Sequence, residues 1–135
     1  MSISLYDSSI KTYLQLLKAT QQFLEKGESF CNDNNIDTSE LLKARIHEDM
    51  LPLFFQIVSI SHHSLGAIKG IEKGEFNPPV TLKDAGYAEH IALIDNAIAE
   101  LESYSPESIE GLMGKPMKFK MGSIEIPVSY THLRA

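Results

Sequence analysis

The stretch from Asp49 to Gly74, DMLPLFFQIVSISHHSLGAIKGIEKG, is the most apolar in the chain and constrains the fold more than any other. At helical spacing, Met50, Phe54, Ile57, Ser61, Leu65 and Ile68 form one face, and Leu51, Phe55, Val58, His62 and Leu65 an adjoining one. A helix apolar over so much of its circumference must be covered on several sides, so this one is expected at the centre of a helical bundle. Asp49 is expected to cap its start, with Pro52 in the first turn, where a missing N–H costs no helical bond. The remaining stripe, Gln56, Ser59, His63, Gly66 and Gly70, is polar or small. It faces water or admits a close neighbour through its glycines, or else Gln56 and His63 line a pocket.

The flanking segments supply the cover. A first helix is expected from about Asp7 to Cys31, with Ile10, Tyr13, Leu14, Leu17, Phe23, Leu24 and Phe30 as its apolar stripe. Gly27 weakens its last turns, and the run Asn32 to Asn35 ends it, because such side chains compete for backbone bonds. Asp37 or Thr38 can cap a short helix ending near His47. After Gly74, the run Glu75 to Pro79 cannot continue a helix. Thr81 with Asp84 resembles a capping box and would start a third long helix to about Tyr104. Its buried stripe is Tyr87, Ile91, Ile94, Ile98 and Leu101, with Ala88, Ala92 and Ala97 allowing close packing. Ser105 followed by Pro106 reads as a cap and a first helical residue, opening a single turn to Gly111.

From Lys115 the period changes to two. Met117, Phe119 and Met121 share one side with lysines between them, and Ile124, Ile126 and Val128 alternate with Glu125 and Pro127. Met121-Gly122-Ser123 supplies the turn of a hairpin at about 115–128. Lys118 and Lys120 form either a binding patch or, the simpler reading, a solvated face that discourages edge pairing. The fold class expected is therefore all-α: an up-down helical bundle, three long helices with a small C-terminal β-hairpin, in a single domain over 1–128.

Several function classes are disfavoured. A formal net charge of −6 speaks against nucleic acid or an anionic membrane as partner. No apolar run approaches the length of a membrane span, and the opening MSISLYDSS lacks the pattern of a signal peptide. The one cysteine, Cys31, forms no internal disulfide and fits a reducing compartment. A cytoplasmic location is the expectation. Cys31 also falls at the end of a helix, where the dipole disfavours the thiolate a nucleophile needs. No serine stands in a Gly-x-Ser-x-Gly turn, and no glycine-rich phosphate loop is present. Glu48 and Asp49 are explained by solvent and capping.

Read together, MSISLYDSS, IDTSELLKARI, DMLP with Gln56, the Pro78-Pro79 break and Ile109-Glu110-Gly111 carry a family likeness, in family order over almost all of residues 1–128. The chain resembles an uncharacterised family of small bacterial and fungal proteins grouped with the DinB-like four-helix bundles. The resemblance implies a bundle whose hairpin precedes one more long apolar helix, and it implies no activity. Ser129 to Ala135 do not resemble the family and are expected to be a foreign tail, a cloning or sequencing artefact on a truncated chain. Without a fourth helix the central one would be left short of cover, which favours self-association.

Better-known DinB-like relatives are metal proteins with three histidines, one on a central helix and two spaced four apart on the last; some are thiol transferases. Such a site needs imidazoles converging within about 2 Å of one ion. Here the histidines are His47, His62, His63, His90 and His132, with no His-x-x-x-His pair. His62 and His63 point about 100° apart on a helix. Either could meet His90, with Glu89 or Asp95 nearby, but no spacing demands it. Two readings follow. The first is a bundle without metal or other cofactor that binds a small ligand or a protein partner, a homo-oligomer such as a homodimer, with Gln56, Ser59, His63 and His90 lining any pocket. The second is a metal-dependent transferase or hydrolase, using zinc or nickel, whose remaining ligands lie beyond the hairpin.

Overall fold

The computed structural model describes residues 2–128. A π-helical turn, Asp7–Lys11, runs straight into α1, Thr12–Asp33. There follow α2, Thr38–Lys43; α3, Leu53–Lys73; β1, Glu75–Phe76; α4, Tyr87–Glu102; α5, Pro106–Glu110; β2, Met117–Met121; and β3, Ile124–Val128. The chain is thus mostly helical, with a small sheet near its C-terminal end.

The helices do not alternate in direction. Lys18 pairs with Glu102, the Gln21 amide donates to Asp95, and the Tyr87 hydroxyl donates to the Leu24 carbonyl, so α1 and α4 are antiparallel. Lys69 pairs with Glu100 and the Tyr104 hydroxyl donates to Glu72, so α3 and α4 run the same way. That departs from the up-down order expected of consecutive helices. A parallel connection needs a long crossover, and residues 77–86 provide it by running back along α3. Asn77 meets His62, and Lys83 to Gly86 share a cleft with Phe54 in the first turn of α3.

This crossover explains the start of α4. Thr81 and Asp84 lie in the connection and cap nothing; the helix begins at Tyr87 after Gly86, with no side-chain cap. Of its expected stripe, Tyr87, Ile94, Ile98 and Leu101 are buried and Ile91 partly so, while Ala88 and Ala92 face solvent. α3 begins at Leu53, later than expected. Its N-cap is Pro52 and not Asp49, which is exposed. The Leu53 N–H is drawn instead to the Ala44 carbonyl at 2.9 Å, anchoring the end of α2 to the start of α3. The local caps behave as expected: Asp37 accepts from the Ser39 N–H, and Ser105 from the Ser108 N–H ahead of Pro106.

Ile10, Leu17, Leu24 and Cys31, seven apart, form the buried line of the first helix. Phe23 and Phe30, expected in the same stripe, are 44% and 59% exposed. They lie a full 100° round the helix from Leu24 and Cys31, beyond the reach of α4. The sheet has the order β1-β2-β3, with β1 parallel to β2 and β2 antiparallel to β3. The hairpin was expected; β1, in the segment read only as a break, was not. Its Phe76 and the Met117 of β2 both press on Gly70, where a Cβ would lie 3.0 Å from each. The glycine of α3 therefore admits a sheet, not a helix. On the opposite face, Lys120 pairs with Glu75 and Glu125, and Lys118 with Glu125.

Gly27 is likewise a point of close approach. A Cβ there would stand 2.7 Å from the Tyr87 hydroxyl, which passes Gly27 to reach the Leu24 carbonyl at 2.7 Å. Burial first, then the nearby Cys31 and Glu28, push the Tyr87 phenol up to about 12, so it is the neutral donor. Tyr87→Phe should cost about 1 kcal/mol through the lost bond, and Gly27→Ala about 1–3 kcal/mol through crowding. Because both act on one oxygen, Gly27→Ala should cost much less in the Tyr87→Phe background. Urea unfolding of the four proteins measures this; strict additivity would show that the two positions do not meet through that hydroxyl.

Candidate functional site

α4 packs against both α1 and α3, on one side of the pair. On the other side α1 and α3 enclose an open groove of about 580 Å³. Its α1 wall is Tyr13, Leu16, Leu17, Ala19, Thr20 and Phe23; its α3 wall is Gln56, Ser59, Ile60, His63 and Ser64. Leu16, 58% exposed, and Phe23 form its outer rim. Neither wall carries an acidic or basic aliphatic side chain, in a chain that is 22% charged. Concave, mostly apolar surfaces with a few polar groups are the usual form of a binding site.

Of the four residues named from sequence, Gln56, Ser59 and His63 lie together along this groove, because positions 56, 59 and 63 share a face of α3. His90 does not join them. It is buried at 1% exposure on α4, where its Nδ1–H donates to the Gly86 carbonyl at 2.7 Å. Its Nε2 has no partner among the described residues. Helical spacing alone puts Phe23 in one stripe with Leu24, and so does not separate the α1 wall from the core face. The available signal was that Leu16 and Phe23 stand beside Leu17 and Leu24, an apolar arc too broad for one neighbour.

His62 and His63 diverge as their adjacency requires. Their rings meet edge to face at 5.5 Å, but the His62 Nε2–H donates across to the Asn77 carbonyl at 2.6 Å and its ring leans on Phe76. Asp95 is taken by Gln21, and Glu89 folds against Gly86, so neither approaches a histidine pair. Among the described residues no three His, Cys, Asp or Glu side chains are placed to hold one metal ion. His132 lies outside the described residues.

Ser59 and His63 resemble a nucleophile and its base, with the hydroxyl oxygen 3.2 Å from Nδ1. The same Nδ1 is 2.8 Å from the Ser59 carbonyl oxygen. A carbonyl only accepts, so Nδ1 carries the proton and cannot take one from the hydroxyl. In this helical hydrogen-bond arrangement Nδ1 is not placed to act as the base for Ser59.

A family model described as Domain of unknown function (DUF1993) matches residues 5–134, and the chain belongs to that family. The match runs into Ser129–Ala135, which lie outside the described residues. No curated protein and no solved structure matches the chain. Among the described residues no helix is long and apolar enough to cross a membrane.

His62 gives this region a pH signature. Its value is held below the ordinary 6.5 chiefly by burial, with His63 adding to the shift and the bond to Asn77 opposing it. The unfolded chain then binds the proton more readily than the folded one. Stability contributed by neutral His62 is complete above about pH 6.5 and falls as the pH drops below it. The urea midpoint of the wild type should therefore decline on acidification more steeply than that of His62→Gln. Parallel declines would remove His62 from the explanation.

Proposed function

We propose that this family member is a binding bundle with no catalytic chemistry of its own, and that its working surface is the α1–α3 groove. The observation that carries this reading is the groove itself: about 580 Å³, apolar walls, no ionic side chain, and polar groups confined to a few positions. The broken geometry of Ser59 and His63 supports binding over catalysis. The DinB-like relationship belongs to the same proposal. It is supported by three long helices and by a side of α1 and α3 left uncovered among the described residues, where a bundle of four would set another helix. Self-association is an alternative use of the same surface, since Leu16, Phe23 and Phe30 continue it along α1 and Met121, Ile124 and Ile126 are exposed on the hairpin.

Nile red, an uncharged dye that brightens in apolar surroundings, tests the reading. It should bind saturably at one site per chain, and Leu16→Gln with Phe23→Gln should weaken that binding by at least tenfold. Both residues are exposed, so the urea midpoint should move little. Absence of saturable binding, or binding unchanged in the double variant, would reject the groove as the working surface.

A further inference from the structure

The three long helices expose large apolar side chains along one line only. Among the described residues these are Leu16, Phe23 and Phe30, all on α1, at 58%, 44% and 59% exposure, and α3 and α4 have none. They stand seven apart, like the buried line of Ile10, Leu17, Leu24 and Cys31 beside them. A repeat of seven drifts only about 20° per step round a helix, so it makes a nearly straight seam, and the neighbour that fits such a seam is another helix. Thr12, Gln15, Ala19 and Gln22 border the seam on the side away from the groove, and Lys26 and Asp33 are the ionic residues along that edge. On the groove side stand Thr20 and Gly27, neither of them ionic.

We propose that the partner of this surface is a second copy of the chain, packed α1 against α1 in antiparallel register about Phe23. The inference rests on the groove reading above and names the partner for that surface. A two-fold axis at Phe23 sets this residue against its own copy and Leu16 against Phe30, so every residue of the seam meets an apolar one. The same register brings Lys26 level with Ala19 and Gln22 of the second copy, and Asp33 level with Thr12 and Gln15. A parallel pair would instead set Lys26 and Asp33 each against its own copy, and like charges placed opposite one another repel. The area sets the strength. Phe23 and Phe30 together uncover about one whole phenylalanine, on the order of 200 Å². Leu16 and the groove walls bring the face to roughly twice that, and roughly 800 Å² over both copies is the size of a weak, exchanging interface. Dilute chains therefore keep an open groove. The second copy closes over it as the concentration rises, because Leu16 and Phe23 belong to both the seam and the groove.

Sedimentation velocity from about 5 to about 500 µM protein, a span that brackets a dissociation constant of roughly 50 µM, tests the proposal. A reversible equilibrium of monomer and dimer is expected. Phe30→Gln should weaken it about tenfold, while Nile red binding to dilute protein stays unchanged, because Phe30 lies outside the groove walls. A dimer indifferent to Phe30→Gln would overturn the seam. Two double variants read the register: Leu16→Glu with Phe30→Lys, and Leu16→Glu with Phe30→Glu. In the antiparallel pair opposite charges meet in the first and like charges in the second, so the first should associate roughly tenfold more tightly. Equal weakness of the two would overturn the antiparallel arrangement. Both positions are more than half exposed, so every variant should keep the urea midpoint of the wild type. A protein that stays monomeric over the whole span would overturn the second copy as partner. If that monomer binds Nile red saturably, the groove remains a working surface with a different occupant; if it does not, the groove reading falls as well.

Discussion

The coverage of α3 is the constraint on which the rest of the structure depends. Its buried positions, from Ile57 and Val58 to Gly70 and Ile71, are spread round more of the helix than any single neighbour can reach. α4 takes one side and α1 touches another, while Phe76 and Met117 close over Gly70 near the C-terminal end. Because α4 lies parallel to α3, the connection must return along the whole helix, and it covers part of the surface as it passes. His62 belongs to that arrangement, bonding Asn77 on one edge and leaning on Phe76. The face carrying Gln56, Ser59 and His63 is left open between α1 and α3, touched by Phe76 only at His63, and there the groove forms.

What could be read in the sequence was what depends on a few consecutive residues. Asp37 and Ser105 cap their helices because a short side chain reaches an N–H two or three residues on, wherever the helix then packs. Gln56, Ser59 and His63 share a face because a helix of any surroundings puts them there. Asp49 and Thr81 carry the same local signals and fail, since tertiary contacts move the boundary. The Leu53 N–H finds the Ala44 carbonyl, and the segment holding Thr81 and Asp84 is drawn out along α3. β1 is two residues whose partners, Lys118 and Phe119, lie far along the chain, so no local pattern marks it. Gly27 looked like a weak point in a helix and is a passage for the Tyr87 hydroxyl, a role visible only once α4 is in place. His90 is expected in the pocket as a histidine of the third long helix able to meet His62 or His63. Its place instead follows from Tyr87 and Ile94, which fix that side of α4 against the core.

The polarity of the groove follows from an ordinary property of helices. Serine, threonine and histidine side chains can turn back to the carbonyl one turn earlier, and Thr20, His63 and Ser64 each bond the carbonyl of the residue four before. Each such bond consumes a proton and leaves lone pairs outside. A helix wall built from these residues is therefore biased toward accepting hydrogen bonds, however polar it looks in sequence. The same bond keeps Ser59 and His63 from pairing as nucleophile and base through Nδ1: a general base needs an unprotonated nitrogen facing the nucleophile, and the nitrogen beside Ser59 faces a carbonyl. The nitrogen left basic, Nε2, lies on the far edge of the ring from Ser59. One backbone bond of 2.8 Å thus turns Nδ1 away from the role of base for Ser59 and leaves Nε2 as the acceptor of the ring.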